Sequence, residues 1–278
     1  MKFKQVISGL LGLCAMATAA SGHEFWLNLS KFNAQPGEVV QIQTMVGDGF
    51  PGESRPRDPT KLMKFELLDS AGSIAIMGMD GADPAGIVRA QTAGTYTVGY
   101  HSKPTRVVLV GDKFEQYLKE EGLDNAAAAR KEAGKQAEDG RERFSRCAKA
   151  ILSVGDDRGA GFDKVLGYPI ELCADSHPAL LKLDEEMSFT VLADSKPAAN
   201  VLVKAVNKDD PTRTLSARSD ENGKVKFKLD KAGMWRLNAV KIAPVSEKAS
   251  DCDWESHWAS LTFEISSAPG QAAAVESK

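Results

Sequence analysis

The chain has 278 residues, 35 of them Lys or Arg and 38 Asp or Glu, for a formal net charge of −3. A mildly acidic balance with scattered cations excludes nucleic-acid binding and a polybasic membrane anchor as organising features. The length, less a leader, suits two ordinary domains.

Residues 1–22 read as a secretory signal peptide. Lys2 and Lys4 form a short basic start, and the apolar run from Val6 to Ala17 is too short to span a bilayer. Small residues follow from Ala17 to Gly22, and Leu13 before Cys14 argues against lipoprotein cleavage. Removing Lys2 and Lys4 takes the net charge from −3 to −5. The mature protein is therefore expected in the periplasm or secreted. In an oxidising compartment Cys147, Cys173 and Cys252 allow one disulfide and one spare thiol, and Cys147–Cys173 is the favoured of three pairings.

Residues 23–111 read as a β-sandwich. Phe25-Trp26-Leu27 is apolar, and the turn Pro36-Gly37-Glu38 opens an alternating run with Val40, Ile42, Thr44 and Val46 on one face. Further strands are expected at 64–68, 73–77, 95–100 and 105–110, with a long exposed loop over 48–59. Ala93-Gly94-Thr95-Tyr96 resembles the start of a late sandwich strand whose Tyr hydroxyl bonds back to the backbone.

The composition then shifts to Ala, Glu, Lys and Arg, and 112–158 is expected to be a helical connector. Asp112 with Glu115 suggests a capping box, Gly122 a stop, Asp124 a second helix, and Gly140 the break before a third helix over 141–152. Nine basic and nine acidic residues between Asp112 and Ala150 cancel, as on a solvated helical face.

From 159 to 266 the β pattern returns, with strands expected at 169–173, 187–192, 201–206 and 258–265. Asp220-Glu221-Asn222-Gly223 reads as a hairpin turn between 214–218 and 225–229. Ala232-Gly233-Met234-Trp235 repeats the Ala-Gly-x-aromatic pattern of Ala93–Tyr96. Residues 267–278 read as a disordered tail. The expected fold is mainly β: two immunoglobulin-like β-sandwich domains joined by a helical segment.

Four histidines are present. Cleavage after Gly22 leaves His23 as the N-terminus, where its α-amine and imidazole can chelate one metal ion in a six-membered ring. Cleavage after Ala20 leaves Ser21-Gly22-His23, whose amine, amides and imidazole suit a square-planar Cu(II) or Ni(II). Cleavage after Ala19 spoils both arrangements. His101 falls on the Thr95, Thr97 and Gly99 face of its strand and is a candidate second ligand. His257 alternates with Ala259, Leu261 and Phe263, so it points to the apolar side; a metal role there competes with that of a satisfied buried histidine. His177, beside Asp175 and Pro178, reads as a loop residue. Asp253 and Glu255 could form a glycosidase pair, and Trp254 with Trp258 a sugar platform, but solvated carboxylates and a core aromatic cluster explain the same residues. No nucleophile elbow, phosphate loop or Cys-x-x-Cys occurs.

Several motifs resemble a family of exported bacterial proteins. They are His23-Glu24-Phe25-Trp26-Leu27, Pro36-Gly37-Glu38 and Gly47-Asp48-Gly49-Phe50-Pro51-Gly52, then Lys113–Leu118 with Glu121-Gly122-Leu123, Arg143–Lys149 and Asp253–Phe263. That family is classed as a domain of unknown function and described as the periplasmic component of nickel or cobalt uptake systems. The resemblance implies a non-enzymatic accessory that carries Ni(II), Co(II) or Cu(II) as cargo, with His23 as leading ligand and a membrane metal transporter as partner. Two other classes are open: a β-sandwich module for a non-metal ligand or partner, and a copper oxidase with an N-terminal histidine clamp completed by His101 or His257.

Overall fold

The computed structural model describes residues 23–246 and 251–266. The expected signal peptide and C-terminal tail lie outside the described residues.

The fold is mainly β and is built in layers. A wide ten-stranded sheet forms the middle. Across it run Asp210–Arg218, Leu202–Asn207, Gly233–Pro244, Trp254–Ile265, Gly140–Val154, Gly94–Ser102, Leu62–Leu68 and Ser73–Ala75, in that order. Thr105–Leu109 and the short Asn33–Ala34 also pair with Gly140–Val154. One face is covered by an N-terminal sheet of Glu24–Leu29, Val40–Gly47, Glu53–Arg55 and Gly86–Val88. The other is covered by a C-terminal sheet of Ile170–Ala174, Glu186–Ala193, Lys196–Pro197 and Lys224–Lys228.

The strand Gly140–Val154 serves both cores, because successive side chains of a strand point to opposite faces. Cys147 and Ile151 join the C-terminal core with Tyr168, Phe189 and Phe263. Ala148, Ala150, Leu152 and Val154 join the N-terminal core with Trp26, Leu27 and Val40. This corrects the expectation of a third helix over 141–152. A strand buried on both faces shows no polar alternation, and Arg, Ala and Lys raise helix propensity, a weak prior that tertiary burial overrides. The wide sheet therefore runs continuously through both expected sandwiches, and helix is confined to the first part of the expected connector.

Those helices are Gly111–Glu120 and Asp124–Glu132. Phe114, Tyr117, Leu118, Leu123 and Ala126 pack on Val240, Trp254 and Trp258 in a third apolar cluster. Gly122 does end the first helix, at φ +63°. The expected capping box does not form: Glu115 instead holds the buried Arg130 at 2.7 Å. Arg130 also donates to the carbonyls of Lys135 and Glu138 and stacks 4.8 Å from Phe114, locking the second helix to the first.

The Ala-Gly-x-aromatic repeat has the same hydrogen bond at both copies. Tyr96 Oη donates to Thr92 O at 2.9 Å, and Trp235 Nε1 donates to Lys231 O at 2.9 Å. The turn at Asp220–Gly223 departs from expectation. Its flanking strands lie in different layers, Asp210–Arg218 on Leu202–Asn207 and Lys224–Lys228 on Glu186–Ala193, so it connects sheets instead of closing a hairpin. Cys147 and Cys173 are buried free thiols on separate strands, so their expected disulfide is not formed.

Candidate functional site

The register of Glu24–Leu29 on Val40–Gly47 places His23 beside the Gly47–Gly52 loop, since Glu24 pairs with Gly47. His23 Nδ1 lies 2.5 Å from Asp48 Oδ1, with side chains 35% and 73% exposed. The imidazole thus meets a carboxylate at a solvent-accessible corner. Gly52, at φ +67°, shapes this loop, because a Cβ there would lie 2.3 Å from the Trp26 ring. The His23–Leu27 and Gly47–Gly52 motifs therefore meet in space.

Beneath that corner is a buried cation. Arg236 lies between the rings of Trp26 and Phe50, at 4.4 and 4.7 Å from their centroids. Its Nη2 bonds to Glu24 Oε2, while Nε and Nη1 are buried with no hydrogen-bond partner. Burial pushes the Glu24 carboxyl up, opposed by Arg236, and pushes the Arg236 guanidinium down. Lys204 and Glu121, paired at 2.9 Å, lie within electrostatic range of Glu24.

The other candidate ligands face the opposite side of the wide sheet. His101 lies tilted against Tyr168, with ring centroids 5.0 Å apart, toward the C-terminal core. His257 Nδ1 lies 2.7 Å from Ser145 Oγ, on the face that Cys147 and Ala259 give to that same core. Burial lowers the pKa of both, and for His101 the charges of His257 and Lys64 lower it further. His101 and His257 are thus brought within electrostatic range of each other but separated from His23 by the sheet. Among the described residues, no group of three or more His, Cys, Asp or Glu side chains has metal-holding geometry.

His177, expected in a loop, is buried and joins two layers. Its Nδ1 accepts from Ala179 N at 3.1 Å, so Nε2 carries the proton and donates to Thr95 Oγ1 at 2.9 Å. Burial lowers its pKa to about 4. The Asp253 and Glu255 carboxylates are both engaged. Arg141 grips Asp253 at 2.9 and 2.6 Å, and Arg143 holds Glu255 at 2.8 Å from the neighbouring parallel strand. Trp254 and Trp258 belong to the core, with Trp258 stacked on Tyr117 at 5.6 Å.

Residue-by-residue reading missed Glu142 and Arg146. Glu142 is buried, accepts from Ser256 and Tyr117, and burial pushes its pKa up to about 7. Arg146 Nη1 is buried without a hydrogen-bond partner, and the guanidinium lies 4.8 Å from both the Phe144 and Trp258 centroids. The available signal was the clustering of Lys113–Leu118, Arg143–Lys149 and Asp253–Phe263, three motifs that converge on this region.

No curated protein matches this chain in sequence. Among solved structures, the D0-D1 domain of intimin is similar with 14% identity and TM-score 0.21, over 86% of this chain and 97% of that one. The three N-terminal domains of the bacteriophage RB49 highly immunogenic outer capsid protein match with 10% identity and TM-score 0.23, over 88% and 71% of the two chains. A DUF4785 family protein from Legionella pneumophila shows 12% identity and TM-score 0.21, over 77% and 50%. Overlays this loose carry no weight for function. The profile of one family, Domain of unknown function (DUF4198), matches residues 20–243. The chain therefore belongs to the DUF4198 family.

Proposed function

We propose that this protein is an exported, non-catalytic carrier that captures one divalent transition-metal ion, Ni(II), Co(II) or Cu(II), through His23 and passes it to a membrane transporter. The observation that carries this reading is the placement of His23 Nδ1 against the exposed Asp48 carboxylate at 2.5 Å. In an N-terminal histidine, Nδ1 is the ring nitrogen that closes a six-membered chelate with the α-amine. Cleavage before His23 thus supplies amine and imidazole nitrogens, and Asp48 adds an oxygen donor at the same corner. Nitrogen donors suit Co(II), Ni(II) and Cu(II), which lie in the upper part of the divalent affinity order. An open, three-donor corner suits a cargo ion that must leave again.

The test is the intact mass of protein exported with its own leader and recovered from the periplasm, with and without added Ni(II), Co(II) or Cu(II). The expected species begins at His23 or Ser21 and retains one ion. His23→Ala abolishes retention, and Asp48→Asn weakens it by about tenfold or more. Retention no better than that of His23→Ala sinks the proposal.

A further inference from the structure

Between the N-terminal sheet and the wide sheet lies a cavity of about 320 Å³, within the size range of small-molecule sites. Its walls are aromatic and its charge is positive. Phe25, Tyr100 and Phe144 line it, together with Arg55, Arg57, Lys61 and Arg146, and Asp58 is the one acidic residue of the lining.

The cations differ in how they are satisfied. Arg55 pairs with Glu53 at 3.0 Å, Arg57 with Asp80 at 3.3 Å, and Lys61 loosely with Asp58 at 3.8 Å. Arg146 has no carboxylate bonded to it among the described residues. The nearby Glu142 is already engaged by Ser256 and Tyr117. Ring faces of Phe144 and Trp258 hold the guanidinium and leave Nη1 unpartnered. Aromatic faces favour a cation, but they do not replace the hydrogen bonds that the buried Nη1 of this half-buried side chain loses on leaving water. An incoming carboxylate would restore them, by a charge-assisted bond that Arg makes well. A bare inorganic ion would leave the aromatic walls unfilled.

We propose that this cavity binds a small organic carboxylate with an aromatic or branched aliphatic body, its carboxylate toward Arg146 and Lys61 and its body against the contacting Phe25 and Tyr100 rings. The site is independent of His23 and of any metal.

Isothermal titration calorimetry of the mature protein with indole-3-acetate, 3-phenylpropionate and 4-methylvalerate tests it, with indole-3-acetamide as neutral twin and inorganic phosphate as bare anion. Saturable binding of at least one carboxylate is expected, and about tenfold weaker binding of the amide. Arg146→Gln should weaken the carboxylate by about tenfold. Lys61→Gln, at an exposed side chain that does not support the fold, should weaken it by a smaller factor. His23→Ala should leave it unchanged, which separates this site from the metal reading. No saturable binding of any of the three carboxylates overturns the proposal. So does equal affinity for the amide, phosphate binding as tight as the carboxylate, or undiminished binding in both Arg146→Gln and Lys61→Gln with native melting curves.

Discussion

The two faces of the wide sheet bury polar groups in opposite ways. On the C-terminal face, Lys149 and Glu171 are almost fully buried, and their bonds are numerous. Lys149 Nζ donates to Lys164 O at 2.9 Å and Glu171 Oε2 at 3.1 Å, and lies 3.1 Å from Cys173 Sγ. Glu171 also accepts from the backbone N–H groups of Leu166, Gly167 and Tyr168 at 2.8–3.1 Å. On the N-terminal face, Arg236 and Arg146 are held by aromatic rings and leave guanidinium nitrogens without partners. A satisfied buried network fixes geometry, whereas unsatisfied donors mark where a ligand can act. The first face is a structural clasp, and the second carries both the His23 corner and the carboxylate cavity.

The largest expected effect breaks the clasp. Lys149→Met leaves the Glu171 carboxylate buried without its cation and should cost about 3–5 kcal/mol in urea unfolding. Lys149→Met with Glu171→Leu should recover part of that loss. A single-variant loss below about 1 kcal/mol would contradict the clasp.

The pH dependence sharpens the comparison, because the faces tilt in opposite directions. His177, with a folded pKa of about 4, binds protons more readily when unfolded. Its contribution is full above about pH 6.5 and is lost as pH falls toward 4, by up to about 3 kcal/mol. Glu142, at about 7, binds protons more readily when folded. Its contribution is full below about pH 4.5 and is lost as pH rises through 7, by a similar order. The two slopes oppose each other between about pH 4.5 and 6.5. His177→Gln should therefore unmask stability that falls with rising pH, and Glu142→Gln stability that rises with it. Thermal melts across this range check both; identical profiles in the two variants would remove the contrast.

Arg236→Met should cost less than the clasp variant, about 1–2 kcal/mol. Glu24, already pushed up by burial, can take a proton when its partner is lost, and Met retains contact with Trp26 and Phe50. The smallest effect is expected at the exposed Arg141–Asp253 pair. Arg141→Gln should leave the urea unfolding curve close to that of the parent protein, although the pair's geometry is bidentate. A larger loss would show that the parallel strand pair depends on this surface contact.

Local chemistry made part of the fold legible. The bond from Tyr96 to Thr92, the stop at Gly122 and the face shared by His101 with Thr95 and Thr97 each follow from a few adjacent residues. The engaged state of Asp253 and Glu255 was not legible. Their arginines come from a strand more than a hundred positions earlier, paired in parallel. His177 does lie in a loop, but its burial was not legible for a similar reason, because its partner Thr95 is 82 positions away.

The sequence by itself determined a mainly β chain with two repeated Ala-Gly-x-aromatic starts, two short helices after residue 110, and His23 next to the expected leader. Its motifs also carried a likeness to a domain-of-unknown-function family, in agreement with the match to DUF4198. Only the tertiary structure decided that Gly140–Val154 is a strand, that one sheet joins both halves, that Asp48 meets His23, and that His101 and His257 face away from it. The reason is physical. Turns, stops and side-chain alternation are set by neighbours along the chain. A doubly buried strand and a site between layers are set by partners that only folding brings near.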